Sequence, residues 1–519
     1  MRDATNTTNS MSAEPEDGSQ RVLGRQIRGS SLLLAGRILS KVINLGIQVA
    51  IVRYLTRDDF GAFAYGLALV LSGELVVKFG LGRGANRFVP YYAERGDYAE
   101  VMGTLALVCL TIITLGGVGF VVLWWIAGQG FPGFPTGEAG RVVLILSLLA
   151  PIQALDTICI QALACFSRAR AIFFRKHMLG PGLRALAVAG VVFTGGSNEA
   201  LAAAYLAGGA LGVAICARLT WRELHVQGVL PLPVSQWRVP WRPLFGFSLP
   251  LISSDLVFIT LTGVTSVVLM TTHGATGVGL IQAVVPAAAL NGLVMESFAI
   301  LFVPGAMRLH VKGDDRAVRD QHWQSAAWVA VLSFPIFAVT FGVAPAVVPL
   351  LFGAGYAESA PLLALLAVGH YVGICLGFNG ETLQVFARTR ALVLTNFVSI
   401  LMGVCLLMWL CPLYGPLGAA IAVTAARLAG TSLRHAVLLQ LPEFGSVPRA
   451  QKVIWLKILA GSAFIAAVGW LWQLPLLGQI AMVVGVSLLL VRSTAHALDV
   501  TRSFPELLRI PLFARMTGL

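Results

Sequence analysis

The 519-residue sequence predicts an all-α polytopic membrane protein of about fourteen transmembrane helices, forming two pseudo-symmetric six-helix lobes plus two extra C-terminal helices. Three observations lead to this fold class. The composition is 57% hydrophobic and only 12% charged, which is too little charge to cover a soluble protein of this size. Basic residues cluster in every second connection between long apolar runs, and short motifs recur in the two halves of the chain.

The first thirty residues are expected to form a disordered cytoplasmic tail. Residues 1–20 are polar and lack the apolar core of a signal peptide. The first apolar span is therefore expected to remain in the protein as an uncleaved helix.

Fourteen apolar runs follow this tail, separated by short polar connections. A run such as 101–127 is long enough to cross a hydrocarbon core of about 30 Å as a helix. The same criterion, applied along the chain, predicts spans at 31–55, 60–81, 101–127, 142–166, 178–193, 201–217, 244–270, 277–303, 326–352, 361–386, 391–411, 417–438, 454–472 and 476–491.

The charge of the connections supports this count. Every second connection is basic, and the connections between them are nearly free of basic residues, with Arg57 and Arg141 as the exceptions. One missed helix would destroy the alternation, so the positive-inside rule predicts that both termini are cytoplasmic, and it accounts for much of the net charge of +13. The connections predicted to be cytoplasmic carry Arg83, Arg87, Arg95, Arg168, Arg170, Arg175, Lys176, Arg218, Arg222, Arg238, Arg242, Arg308, Lys312, Arg316, Arg319, Arg388, Arg390, Arg449 and Lys452.

An internal repeat divides the chain. The hexapeptide FSRARA at 166–171 returns as FARTRA at 386–391, and FVPYYAERGD at 88–97 is echoed by FVPGAMRLHVKGD at 302–314. Two units of six spans share one orientation and would leave a cleft between them. The alternative is that basic loops recur in any membrane protein. The predicted units are an N-lobe at 31–223, a cytoplasmic linker at 224–243, a C-lobe at 244–440, helices 13 and 14 at 441–493, and a cytoplasmic tail at 494–519.

The sequence lacks the motifs of several enzyme classes. It contains no nucleotide-binding P-loop, no H-E-x-x-H metal motif and no C-x-x-C pair, and its seven cysteines lie in or beside apolar runs. The external connections are short, the longest being 128–141. We therefore predict a transporter without cofactor or metal, and not an enzyme.

Several segments resemble a known family. LFGAGYAESAPLLALLA at 351–367, PLYGPLGAAIA at 412–422 and RYLTRDDFGAFAYGLAL at 53–69 are similar to segments of polysaccharide biosynthesis flippases of the multidrug/oligosaccharidyl-lipid/polysaccharide exporter superfamily. The resemblance implies a multi-pass protein of the bacterial inner membrane. It also implies flipping of a polyprenyl-diphosphate-linked oligosaccharide from the cytoplasmic to the periplasmic leaflet, for export of O-antigen, capsule or exopolysaccharide.

Charged side chains inside the predicted spans are the candidate site residues. Each is costly in a bilayer and needs a partner or water, and arginine pairs well with phosphate oxygens. The predicted substrate-binding cations are Arg37, Lys41, Lys78, Arg83, Arg87, Arg184 and Arg427. The predicted gating or coupling acids are Glu74, Asp156, Asp255 and Glu296.

The acids and cations of the two halves suggest a latch. Near the repeat equivalents of Lys41 and Lys78, the second half carries Asp255 and Glu296. We predict a cytoplasmic ionic latch that closes when the cleft opens outward. Its opening would release Arg37 and Lys41 to bind a diphosphate. Alternatively, the charges pair within one lobe and only support packing.

Other functions stay open at this point. A multidrug exporter and a peptidoglycan-precursor flippase share the same superfamily, and a membrane polysaccharide polymerase is an alternative of another class. The expected partners are the lipid-linked oligosaccharide, the bilayer, and the polysaccharide polymerase and chain-length machinery, with no nucleic acid.

Overall fold

The structure, a computed structural model, describes residues 15–131, 133–166, 169–230, 232–249, 252–471, 474–495 and 498. These residues are almost entirely helical and include no strand. Twelve of their helical segments are long and apolar enough to cross a membrane. The prediction of an all-α, multi-pass membrane protein is therefore confirmed. Arg168, the first fourteen residues and nearly all of the predicted C-terminal tail lie outside the described part.

The first helix, α1, covers Pro15–Tyr54 and so begins inside the predicted disordered tail, which is a correction. No further proline interrupts the chain before residue 54, so helix can propagate backward from the apolar span at one hydrogen bond per residue. Proline is itself favoured in the first turn of a helix.

The N-lobe contains eight further helices. They are α2 (Arg57–Lys78), α3 (Leu81–Glu94), α4 (Tyr98–Gln129), α5 (Gly137–Ser147), α6 (Leu149–Cys165), α7 (Ala169–Phe173), α8 (Gly180–Thr194) and α9 (Asn198–Val226). A π-helical turn, Phe174–Leu179, joins α7 to α8. The helix α3 was predicted as a loop. It is helical because Leu81, Ala85 and Val89, each one turn apart, form a buried face.

The connection between the lobes contains a 3₁₀ turn and α10 (Trp241–Ser248). The C-lobe follows with α11 (Ile252–Ile259), α12 (Thr265–Ala289), α13 (Leu293–Val311), α14 (Asp315–Phe337), α15 (Ala344–Phe352), α16 (Ala360–Cys375), α17 (Asn379–Val385) and α18 (Thr389–Leu439). Two last helices, α19 (Arg449–Leu471) and α20 (Leu476–Thr494), pack against each other and against α14.

Two of the long helices fold back on themselves. The backbone leaves the helical region at Gly274 in α12 and at Gly415 in α18. Across the first break, the Gln282 side chain donates to Ser266 Oγ at 2.9 Å, although a straight helix would separate these residues by about 24 Å. Across the second, Ser399 donates to the Ala426 carbonyl at 2.7 Å. Counting the arms separately would raise the twelve candidate spans to fourteen, a count that stays a prediction.

The hydrophobic cores are distributed unevenly between the two ends of the bundle. One large cluster combines side chains of both lobes, for example Phe60 and Phe63 of α2 with Leu269 and Val278 of α12. The other large clusters do not join the two lobes to each other. The cluster around Leu81 connects the N-lobe to the inter-lobe connection, and the cluster around Phe334 connects the C-lobe to α19 and α20. The lobes are thus fused by apolar packing at one end, near the fold-back of α12.

Candidate functional site

The apolar junction of the lobes, which we call the closed end, brings two backbones into contact. A Cβ added to Gly61 of α2 would lie 1.9 Å from the Ala275 carbonyl oxygen, beside the α12 fold-back. Nearby, the Phe60 and Tyr356 rings meet edge to face with centroids 6.1 Å apart. Only a residue without a side chain allows α2 and α12 to approach this closely.

Polar contacts reinforce the closed end. Arg53 of α1 donates to the Leu351 carbonyl of the C-lobe at 2.8 Å. The Arg57 guanidinium lies over the Tyr356 ring, 5.9 Å from its centroid. Arg57 is one of the two basic exceptions to the charge alternation, and here it has a partner in the opposite lobe.

Ion pairs cross between the lobes at the other end, which we call the latch end. Lys41 Nζ of α1 lies 2.9 Å from Glu296 Oε1 of α13, and Arg37 donates to the Glu296 carbonyl at 3.0 Å. Arg83 of α3 lies 2.7 Å from Asp255 of α11. The structure therefore brings predicted cations of the N-lobe onto predicted acids of the C-lobe. Their gating role stays a prediction.

The latch is closed in this conformation, and the opposite end is packed as well. That the latch closes when the cleft opens outward stays a prediction. Asp255 and Gly274 are separated by 19 residues of one helical arm, or roughly 28 Å. Both ends of the interface are thus in contact in one conformation, so the structure is not outward-open.

Three predicted site residues, Lys78, Glu74 and Asp156, pair within the N-lobe instead. Lys78 lies 2.8 Å from Glu74, one turn away on α2, and Thr157 of α6 donates to the same carboxylate at 2.9 Å. Asp156 lies 2.8 Å from Arg175. For these residues the geometry follows the alternative of pairing within one lobe, because no contact joins them to the opposite lobe among the ion pairs of the described chain.

Arg87, another predicted substrate-binding cation, lies on the exposed side of α3. Its guanidinium stands 4.5 Å from the centroid of the Phe247 ring of α10. A Cβ on Gly84 would lie 2.6 Å from Ser248 Oγ, so α10 packs closely on α3. Arg87 thus joins the inter-lobe connection to the helix that carries Arg83, and it does not line either cavity described next.

The N-lobe encloses a polar cavity of about 420 Å³. Arg184, a predicted cation, lines it and donates to Asn44 Oδ1 at 3.4 Å. Arg175 and Lys176 were predicted to lie in a cytoplasmic loop, but they lie on the π-helical turn and line this cavity. No sequence signal announces a π turn, so periodicity alone could not have found them. The charged lining residues are Glu74, Asp156, Arg175, Lys176 and Arg184.

The C-lobe encloses a second cavity of about 480 Å³. Arg427, a predicted cation, lines it together with Arg434, which the sequence analysis did not select. The seven-residue spacing, two helical turns, was the available signal that both face the same side of α18. Glu296 of the latch also lines this cavity, so the latch and the C-lobe cavity adjoin. Among the described residues, no group of His, Cys, Asp or Glu side chains could hold a metal ion.

Comparisons with known proteins agree with this architecture. The chain resembles the lipid II flippase MurJ in an inward closed conformation, with TM-score 0.67 and 15% identity over 92% of this chain and 100% of that one. It also resembles a multidrug resistance MATE family transporter of the MOP superfamily in its inward-facing conformation, with TM-score 0.63 and 14% identity over 78% and 97%. An outward-facing structure of a multidrug resistance MATE family transporter has a TM-score of 0.53 to this chain. The identity is 14% over 80% of this chain and 94% of that one.

The sequence comparisons address the family. No curated protein matches the chain. The family model described as "Polysaccharide biosynthesis protein" matches residues 50–361, which is more than half of the sequence. The match covers most of both lobes, from α1 to the start of α16. The chain therefore belongs to the polysaccharide biosynthesis protein family and has the fold of MOP-superfamily transporters.

Proposed function

We propose that this protein is a flippase that moves a polyprenyl-diphosphate-linked oligosaccharide from the cytoplasmic to the periplasmic leaflet of the bacterial inner membrane. The product would serve O-antigen, capsule or exopolysaccharide export. The observation that carries the proposal is the latch, because Lys41 and Arg37 cross to Glu296 at one end of lobes whose other end is fused by apolar packing. Polysaccharide polymerase and chain-length machinery are the proposed downstream partners.

The physical problem of flipping explains the latch cations. A diphosphate and many hydroxyl groups must be sheltered from hydrocarbon, whereas the polyprenyl tail can stay in lipid. When the latch opens, Arg37 and Lys41 lose Glu296 and offer their donors to the diphosphate. Charge-assisted bonds of this kind are about twice as strong as neutral ones.

Alternating access follows from the contrast between the two ends. The positive-inside rule assigns the latch end to the cytoplasm and the closed end to the periplasm. Both termini are then cytoplasmic. The better agreement with an inward-facing than with an outward-facing MATE structure, 0.63 against 0.53, supports a state sealed on the periplasmic side.

A peptidoglycan-precursor flippase is the second candidate, and the likeness to a lipid II flippase over 92% of this chain favours it. A multidrug exporter would not need cations at the latch. A polymerase would need room for catalysis on the external side, and there α4 and α5 are separated by only a few residues, 130–136.

A deletion strain complemented with variants tests the proposal. The double variant Arg37→Ala/Lys41→Ala should reach the membrane in normal amounts yet leave lipid-linked repeat units inaccessible to a glycan hydrolase added from the periplasmic side. Lys457→Ala is the matched control, because Lys457 lies on α19 and donates to the Ser493 carbonyl, away from both lobes' cavities.

The outcomes separate the alternatives. Normal flipping by the double variant would contradict the role of the latch cations. Flipped but unpolymerised repeat units in the deletion strain would indicate a polymerase. Loss of lipid II exposure in that strain would favour the peptidoglycan precursor as the substrate.

A further inference from the structure

A stripe of three side chains on the second arm of α18 lines the C-lobe cavity. Arg427, Thr431 and Arg434 are spaced four and three residues apart, so they lie on one face of the helix. We infer that this stripe is a second oxyanion-binding site, separate from the latch cations, which takes a carboxylate or phosphate group of the transported molecule. The identity of that molecule rests on the proposed function.

Arg427 lacks the carboxylate partner that Arg175 and Lys78 have. Arg175 lies 2.8 Å from Asp156, and Lys78 lies 2.8 Å from Glu74. Arg427 forms no ion pair with any carboxylate of the described chain, and its buried Nε has no hydrogen-bond partner there. Because an unpaired guanidinium inside a membrane protein is strongly unfavourable, a bound anion is the partner that this cavity lacks.

The rest of the stripe adds further hydrogen-bond donors to the same cavity. Arg434 is oriented by Asn396, whose side-chain oxygen accepts from Arg434 Nη1 at 2.9 Å. Thr431 supplies a hydroxyl between the two arginines. Gly369 and Gly373 of α16 also line this cavity, and its volume of about 480 Å³ can hold a sugar ring or a diphosphate.

Two acids line the same cavity, and one of them, Glu296, links the site to the latch. Glu296 is neutralised by Lys41 while the latch is closed, and it becomes an unpaired negative charge when the latch opens. The other acid, Glu381, forms no ion pair with Arg427. An anion in the C-lobe cavity is therefore repelled less in the latched state, so its binding favours latch closure.

Binding to the purified full-length protein tests the site. Isothermal titration with sodium pyrophosphate and, separately, with sodium glucuronate distinguishes the two sources of the anion. Arg427→Gln should weaken binding of one of these probes by about tenfold or more, and Arg427→Lys, which keeps the charge without the fork, by less. Arg319→Gln is the matched control, because Arg319 pairs on the surface with Asp320 at 2.9 Å.

Each outcome decides between sources or rejects the site. Loss of pyrophosphate binding assigns the site to the carrier diphosphate, and loss of glucuronate binding assigns it to an acidic sugar. If Arg427→Gln does not fold, Thr431→Val removes one donor and should weaken binding several-fold. Unchanged affinity for both probes in both variants, or no binding by the wild type, would overturn the inference.

This experiment is independent of flipping. Anion binding that requires Arg427, in a protein whose deletion leaves flipping intact, would keep the site and reject the proposed function. Loss of flipping in the deletion strain, together with anion binding that does not depend on Arg427, would keep the proposed function and reject the site.

Discussion

The two ends of the lobe interface are held together by different physics. The closed end buries aromatic and aliphatic side chains and brings the backbones of Gly61 and Ala275 into contact. The latch end relies on ion pairs with substantial solvent access, since the side chain of Glu296 is 49% exposed. Apolar contacts have no charges for dissolved salt to screen, whereas exposed ion pairs are weak and are weakened further by salt. The difference teaches that the latch end is the easier one to open.

The largest loss of stability is expected when an ion pair inside one lobe is broken, in contrast to the ion pairs between the lobes. Arg175, with a side chain only 7% exposed, is paired with Asp156, and Arg175→Gln would leave that carboxylate buried without its partner. We expect a loss of about 3–5 kcal/mol of stability. Thermal unfolding in detergent measures it, and the double variant Arg175→Gln/Asp156→Asn should recover part of the loss. A change no larger than that of a latch variant would contradict this separation.

The second prediction breaks the closed end. Gly61→Val places a side chain where the Ala275 carbonyl now lies, so the helices must move apart, at a cost of about 3 kcal/mol. A membrane-impermeant thiol reagent should then label a cysteine introduced at Val278, which is fully buried in the parent. Gly117→Ala is the control, because its new Cβ meets nothing within 4 Å. Continued protection of that cysteine in Gly61→Val would show that this contact does not seal the end.

The smallest effect on stability is expected at the latch. Glu296→Gln removes the charge opposite Lys41, and a pair this exposed contributes about 1 kcal/mol or less. Transport should nevertheless fall several-fold, and a charge-swapped Lys41→Glu/Glu296→Lys protein should recover more latch closure than either single variant. Raising the salt concentration should increase thiol labelling beside the latch in the parent and leave the closed end protected. An equal increase in labelling at both ends would show that the two ends are not held together by different interactions.

The sequence predicted the helices better than the side-chain partners. Apolar runs separated near Gly274 and Gly415 indicated two breaks that the continuous helices α12 and α18 partly conceal. The acids Asp255 and Glu296 of the second half contact cations of the first, whereas Lys78 pairs within its own lobe.

The position of Arg175 was not predicted because no sequence pattern marks a single π-helical turn, which shifts the following side chains around the helix. Arg87 was misplaced in the cavity because its predicted loop is the amphipathic helix α3. Partner choice depends on three-dimensional packing, which a one-dimensional charge pattern does not contain.

The packing of α10 on α3 has a mechanical consequence. The connection between the lobes is anchored to α3, the helix that carries Arg83. The Phe247 ring packs against Arg87, and Ser248 packs against Gly84. The connection is therefore held rigidly on that side and does not act as a flexible linker. If the lobes rock as proposed, α3 turns with this connection, and the same rotation acts on the contact between Arg83 and Asp255.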